Sequence, residues 1–262
     1  MKILKPQVNL EHFFSQLKTC SRPALLLDYD GTLAPFHNQR DMAFPYPGIP
    51  DILNHIIKAR HSRVVLISGR WTRDLIPLLG LEELPEIWGT HGIERLKPDG
   101  SYDLVKLADL TSELLTLVDK WASKEGLKDA CEQKPGSLAI HWRGMPEVQK
   151  QEIRDAVMKE WSGRAQEAGL SLAEFDGGIE FRLPGWNKGN AVETILSEMT
   201  HDCAAAYLGD DLTDEDAFRA MNDRGLAVLV RAELRESAAD LWLVPPQELL
   251  DFLWRWHNIL DV

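Results

Sequence analysis

The sequence predicts an α/β protein: a doubly wound parallel sheet with a smaller α+β unit inserted into it. Three observations carry that expectation. Short apolar runs alternate with segments of helical spacing at both ends of the chain. Those runs are apolar throughout instead of alternating apolar and polar, which marks strands buried on both faces. The middle of the chain breaks the pattern with hairpin signals and longer helical stretches.

In order, Ala24–Tyr29 reads as a buried strand that ends in acidic residues. Gly48–Arg60 has helical spacing in Ile49, Ile52, Leu53, Ile56 and Ile57. Arg63–Ile67 is a second strand, stopped by Ser68-Gly69, and Trp71–Leu79 a short helix. Glu86–Trp88 is a third strand. After the middle come a helix over 188–199, a strand over 204–208, a helix over 214–222, a strand over 225–230 and a last helix near 247–257. Buried strands alternating with helices argue for a parallel sheet covered on both sides.

Within the middle, Asp109–Trp121 is helical, and Ser137–Trp142 is a strand after the turn signal Lys134-Pro135-Gly136. Glu147–Ala168 is a long helix. Leu172–Phe175 and Ile179–Leu183 flank Asp176-Gly177-Gly178, a hairpin signal. The expected division is a core of residues 1–97 and 183–262 with an inserted unit over 98–182.

The chain has 262 residues, enough for a core and a companion unit. Its net charge of -12 repels phosphate backbones, so nucleic acid and anionic membrane are poor partners. An anionic small molecule still binds such a surface if a cation and a few basic groups line the site. No run of about 18 apolar residues marks a membrane span. Met1–Phe14 carries Asn9, Glu11 and His12 and does not read as a signal peptide. Cys20, Cys131 and Cys203 are far apart and form no CxxC pair, which fits buried thiols in a cytoplasmic protein. Nothing in the sequence sets an oligomeric state, and a monomer is compatible with all of it.

Four segments carry chemistry: Asp28-Tyr-Asp-Gly-Thr-Leu33, Ser68-Gly-Arg70, Asn187-Lys-Gly189 and Gly209-Asp-Asp-Leu-Thr-Asp-Glu-Asp216. Three follow strands and one opens a helix. In a parallel sheet the carboxyl ends of the strands share one edge, where ligands bind, so the four can converge. Asp28 and Asp30 flank the point where a strand stops, so both can reach one pocket, although a lone DxD is also an ordinary turn. Gly31-Thr32 supplies a tight bend. Asp210, Asp211 and Asp214 add hard oxygen ligands, and so many carboxylates repel one another unless a cation sits among them. Magnesium suits such a set. Taken alone, 209–216 also reads as an acid-rich helix start. Ser68 can hold a phosphoryl oxygen, though Ser-Gly is by itself a loop signal. Lys188 at a helix start opposes the helix dipole unless an anion offsets it.

In this order, the four segments resemble the motifs of the haloacid dehalogenase superfamily, with its Rossmann-like core and inserted cap. More narrowly, Leu27–Pro35, Ile67–Arg70, His91-Gly92, Lys134, His141-Trp-Arg143, Glu180-Phe-Arg182 and Gly209–Phe218 look like trehalose-6-phosphate phosphatases. Trp142 stands where that family more often has tyrosine, and Trp186-Asn187 precedes the motif lysine at a variable spot. Neither departure touches the catalytic core.

The resemblance implies a phosphatase with Asp28 as nucleophile and Asp30 as general acid and base. It places Ser68 and Lys188 on the phosphoryl group, magnesium on Asp28, the Asp30 carbonyl and Asp210, and Asp211 and Asp214 in support of the metal. The insert becomes a mobile cap, with Lys134, His141, Arg143 and Glu180 toward the sugar and Arg70 and His91 as further substrate contacts. Each of these has a plainer reading as a salt bridge or core contact. Most of the tryptophans, such as Trp121 and Trp161 on helices, read as core and not as sugar platforms. The catalytic motifs do not separate trehalose 6-phosphate from sucrose 6-phosphate or mannosyl-3-phosphoglycerate, and a phosphomutase would use the same two aspartates. A non-catalytic sugar-phosphate sensor would usually lack one of the two, and both are present.

Overall fold

A computed structural model describes residues 1–37, 39–175, 177–200, 204–221 and 224–261. Asp176 of the expected hairpin turn, Cys203 and the last residue of the 214–222 helix lie outside them. Chain contacts divide the protein into two compact units, Met1–Asp103 with Asn187–Val262, and Leu104–Trp186.

The first unit carries the doubly wound sheet. Its strands are β1 (Lys2–Ile3), β2 (Ala24–Leu27), β3 (Arg63–Ile67), β4 (Glu86–Gly89), β5 (Glu94–Leu96) and β6 (Tyr102–Leu104), then, after the second unit, Ala205–Gly209, Gly225–Val230 and Leu241–Leu243. Its helices are α1 (Leu10–Thr19), α2 (Ile49–Ala59) and α3 (Thr72–Leu79), then Lys188–Ser197, Glu215–Met221 and Gln247–Leu260. The second unit contains α4 (Asp109–Lys124), β7 (Cys131–Lys134), β8 (Ser137–His141), α5 (Glu147–Glu167), β9 (Ser171–Phe175) and β10 (Gly178–Arg182). The six elements that return to the first unit are therefore α6, β11, α7, β12, β13 and α8 in chain order.

Among the described residues the large sheet has nine strands in the order β1-β13-β12-β11-β2-β3-β4-β5-β6. From β13 to β4 the pairing is parallel, and β1 and β5 pair antiparallel at either side. The chain runs outward from β2 through β3 to β4, then returns to β11 and runs the other way. The order reverses between β2 and β11, and a crevice opens at such a switch point beyond the strand ends. Asp28 follows one of these strands and Asp210 the other.

Each central strand is buried on both faces because its residues alternate between two cores. Leu25, Leu27, Val64, Leu66, Ala206 and Leu208 pack with α1, α2, α3 and α8. Ala24, Leu26, Val65, Ile67, Ala205 and Tyr207 pack with α6 and α7. That is why the strands read as unbroken apolar runs.

The second unit is a four-stranded antiparallel sheet, β7-β8-β10-β9, with α4 and α5. Ile153, Val157, Trp161 and Ala165 recur every fourth residue along α5 and form its buried stripe. Trp161 is buried and Trp121 packs partly buried against it, edge to face. The unit runs Leu104–Trp186 against the 98–182 that the sequence predicts, because β5 and β6 extend the large sheet. The strand expected over Ser137–Trp142 ends at His141, and Arg143 lies in the following turn.

Cys20 and Cys131 are half-buried and neither forms a disulfide. Burial pushes the Cys131 thiol up to about 11, which suits an unreactive group. No helix among the described residues is long and apolar enough to cross a membrane.

Candidate active site

Asp28 leaves the end of β2 and is almost fully buried. Its Oδ1 accepts from Lys188 Nζ at 2.6 Å, and its Oδ2 from Thr32 Oγ1 at 3.0 Å. Lys188 opens α6, where Asn187 caps the helix by accepting from the Asn190 amide at 2.9 Å. Its ammonium also donates to Asp214 Oδ1 at 2.7 Å. The anion that offsets the misplaced lysine is thus a pair of carboxylates. Burial opposes the lysine charge, but Asp214 and Asp28 outweigh it and push its pKa up.

Asp214 accepts four donors. Oδ1 takes Lys188 Nζ and the Tyr207 hydroxyl, and Oδ2 takes the amides of Asp210 and Asp211 at 3.0 and 2.9 Å. It therefore anchors the 210–214 loop. Asp211 caps that loop, accepting from the Leu212 amide at 2.7 Å. Asp210 differs: its buried Oδ1 has no protein partner. Oxygens of Asp28, Asp210 and Asp214 all lie within 4.8 Å of one another. A buried orphan oxygen amid hard anionic ligands is the donor set of a divalent cation such as magnesium. Without a cation, burial pushes Asp28 up to about 7, despite Lys188, and Asp210 up to about 10, with the neighbouring carboxylates adding to the rise.

Gly31 keeps this cluster open. It sits at φ +85, and a Cβ there would lie 2.1 Å from Asp210 Oδ2. Gly31→Ala is expected to displace the Asp210 carboxylate and to weaken divalent-cation affinity by between about 10- and 100-fold. Calorimetric titration with magnesium checks this, and an unchanged affinity would remove Asp210 from the cation site.

Asp30 is half-exposed. Arg70 grips both of its oxygens, with Nε and Nη2 each at 2.7 Å, and gives Nη1 to the Arg40 carbonyl at 2.7 Å. The structure thus places Arg70, expected among substrate contacts, on the second aspartate. Ser68 is buried at the end of β3, and its hydroxyl accepts from the Arg70 amide at 3.1 Å. His91 lies in a left-handed turn, with Thr90 at φ 48 and His91 at φ 56. Its amide donates to the Ser68 carbonyl at 3.0 Å, and its ring covers Gly69 so closely that a Cβ there would lie 2.7 Å away. The Ser68–Arg70 loop and His91 are therefore one packed unit.

In the second unit, Lys134 and Glu180 are buried and paired at 3.0 Å, and Ser137 Oγ donates to Glu180 at 2.9 Å. His141 Nε2 meets Glu132 at 2.8 Å. Arg143 lies by the Gly177 turn. Lys134, His141 and Glu180 thus belong to one polar patch of the small sheet, and Arg143 follows the strand that carries His141.

Several site residues escape sequence reasoning. Glu132 stands two positions before Lys134 on β7, and that spacing was its only signal. Arg235 donates to the Asp211 carbonyl at 2.8 Å and pairs with Glu215, so it braces the 210–214 loop from outside. Tyr207 reads as a core aromatic. Burial and the nearby Asp214 and Asp28 raise its pKa well above the usual value, so the hydroxyl keeps its proton and donates.

Comparisons with known proteins bear on the fold and on the family. A solved structure, the C-terminal domain of a Candida albicans trehalose-6-phosphate phosphatase, is 22% identical with a TM-score of 0.81, covering 98% of this chain and 99% of that one. The C-terminal domain of a Candida albicans trehalose synthase regulatory protein is 12% identical with a TM-score of 0.71, covering 94% and 97%. These likenesses speak for the fold. A trehalose-phosphate phosphatase of Mycobacterium marinum is 32% identical over 252 residues, 90% of this chain and 62% of its own length. The chain thus spans less than two thirds of the length of that curated relative. The family model for trehalose-phosphatase matches residues 26–241, from the strand before Asp28 to the first residue of β13, and the chain belongs to that family.

Proposed function

We propose that this chain hydrolyses trehalose 6-phosphate to trehalose and phosphate, with magnesium, through an aspartyl-phosphate on Asp28. The observation that carries the proposal is the buried Asp28 carboxylate, held by Lys188 beside the unpartnered oxygen of Asp210. Asp28 attacks phosphorus, the bond from phosphorus to the sugar oxygen breaks, and Asp30 gives its proton to that oxygen. Water then attacks phosphorus while Asp30 takes its proton, and the bond to Asp28 breaks to release phosphate. Lys188 and Ser68 hold the phosphoryl oxygens and offset their charge. Magnesium would be held by Asp28, the Asp30 carbonyl and Asp210, with Asp211 and Asp214 in support. When bound, it neutralises the carboxylates and the phosphoryl group.

Arg70 presents Asp30 in a guanidinium fork, which matches the carboxylate needed in the second half-reaction. For the first, Asp30 must leave that fork and carry a proton. The second unit acts as a cap, with Lys134, His141, Arg143 and Glu180 toward the sugar. His91 completes the substrate contacts from the core.

The test is phosphate release from trehalose 6-phosphate beside sucrose 6-phosphate, glucose 6-phosphate and mannosyl-3-phosphoglycerate, with and without magnesium. A magnesium-dependent preference for trehalose 6-phosphate supports the proposal. Hydrolysis of another member of the panel keeps the chemistry and replaces the substrate. No release from any of them favours a non-catalytic sugar-phosphate sensor.

The carboxylates add a pH signature. Asp28 and Asp210 have folded pKa values raised from 3.8 to about 7 and about 10. The folded state then binds more protons than the unfolded one across that window, so cation-free stability falls as pH rises through it. Magnesium competes with those protons. It is therefore expected to raise the melting temperature by several degrees at pH 8.5 and by clearly less at pH 6. Equal shifts at both pH values in thermal unfolding would mean that magnesium does not bind at Asp28 and Asp210.

A further inference from the structure

Tyr207 stands on β11, two residues before Gly209, and its side chain lies on the α6 and α7 face of the sheet. It is fully buried, and its ring packs edge-on against Phe218 with centroids 5.7 Å apart. Its neighbours on the strand, Ala205, Ala206 and Leu208, are apolar. Phenylalanine would fill the same space, and a buried hydroxyl costs stability unless it is bonded. Here the hydroxyl is bonded to one atom of consequence: it donates to Asp214 Oδ1 at 2.5 Å.

That oxygen also accepts from Lys188 Nζ, which reaches Asp28 Oδ1 at 2.6 Å with another of its protons. Lys188 is therefore shared between two carboxylates. Its position depends on how strongly each one draws it. The amides of Asp210 and Asp211 occupy Asp214 Oδ2. The Tyr207 hydroxyl is the remaining protein donor that withdraws charge from Oδ1, the oxygen that competes with Asp28 for the lysine. Remove it, and Asp214 draws the ammonium more strongly and is freer to turn about its own side-chain bonds.

We propose that Tyr207 is a positioning residue for phosphoryl transfer, its hydroxyl holding Asp214 so that Lys188 stays on Asp28 with charge to offer a phosphoryl group. The proposal rests on the phosphatase function above. It deepens that function by assigning a buried aromatic of the sheet to the site.

Tyr207→Phe removes one atom and keeps the ring contact with Phe218, so the fold is expected to survive, as far-UV circular dichroism would verify. Loss of a hydrogen bond to a charged group corresponds to about a tenfold effect. The kcat for trehalose 6-phosphate is expected to fall by about that factor, and the Kd for inorganic phosphate, by calorimetry with magnesium, to rise several-fold. In an Asp214→Asn background, Tyr207→Phe is expected to change phosphate affinity by less than twofold, because its route of action is gone. Unchanged kcat and phosphate affinity in the single variant would overturn the proposal. So would a loss of equal size in both backgrounds, which would make Tyr207 a packing residue. If the unsubstituted protein binds phosphate but does not hydrolyse trehalose 6-phosphate, the substrate is wrong and the phosphate titration still decides the role of Tyr207. If it binds no phosphate, both proposals fall together.

Discussion

Asp28→Asn is expected to reduce phosphate release by about 10⁴-fold or more, yet to leave a protein no less stable than the parent above pH 7. The two halves of this result have different causes. An amide is no nucleophile toward phosphorus, so no covalent intermediate forms. For stability, the relevant fact is that the Asp28 carboxyl is pushed up to about 7 in the folded state, chiefly by burial and in spite of Lys188. A carboxyl with a raised folded pKa contributes stability below its unfolded value of 3.8 and loses it as pH rises toward 7. Above 7 the buried charge is a net burden. The amide removes it while its oxygen still accepts from Lys188, and the Thr32 hydroxyl, now 3.0 Å from Oδ2, can turn to accept from the new N–H. Colorimetric phosphate assay and urea unfolding at pH 6 and pH 8.5 measure both halves. Activity within tenfold of the parent would mean that another group attacks phosphorus. A marked loss of stability at pH 8.5 would mean that the Lys188 ion pair outweighs the burial of Asp28.

Much of this protein is legible in its sequence, and the exceptions have physical reasons. Strands β3 and β12 match the expected Arg63–Ile67 and 225–230 residue for residue, because a strand buried on both faces is an apolar run with sharp ends. The two- and three-residue strands β1, β5, β6 and β13 leave no mark in the sequence, because so short a strand shows no period. Helix α1 had a cap in Asn9, which accepts from the His12 amide, and a stripe in Phe13, Phe14 and Leu17. The strand expected over Ser137–Trp142 stops one residue short, at His141, where a turn overrides alternation.

The site divides in the same way. Asp28, Lys188, Asp210 and Asp214 stand out because each is chemically conspicuous where it occurs, beside a strand end or a helix start. Pairings across the chain leave no such mark. Arg70 and Asp30 are 40 residues apart, and Lys134 and Glu180 are both buried, which no local pattern announces. Tyr207 is hidden for a further reason: its ring satisfies the core pattern so well that the hydroxyl passes unnoticed.

Lys188→Met carries the second large effect, and its pH dependence identifies the cause. Methionine keeps the length of the buried stem but not the charge. Asp28, Asp210 and Asp214 are then left together with no lysine among them, and breaking a buried ion pair from one side typically costs about 3–5 kcal/mol. Lys188 itself, with a raised folded pKa, stays charged throughout the range from pH 5 to 8.5, so its own contribution does not vary there. The carboxylates do vary. Asp28, pushed up to about 7 even with the lysine present, is protonated at pH 5 with or without it, whereas at pH 8.5 its charge is left without the lysine. The loss of stability in cation-free protein is therefore expected to be largest near pH 8.5 and much smaller at pH 5. Saturating magnesium is expected to restore part of it, since the cation replaces some of the missing positive charge. Activity is a separate matter: with no cationic side chain to hold the phosphoryl oxygens, kcat/KM is expected to fall by about 10²–10³ even with magnesium present. Urea unfolding at the two pH values, with and without magnesium, distinguishes the outcomes. An equal loss at pH 5 and pH 8.5 would mean that Lys188 stabilises the fold through the packing of its stem and not by offsetting charge.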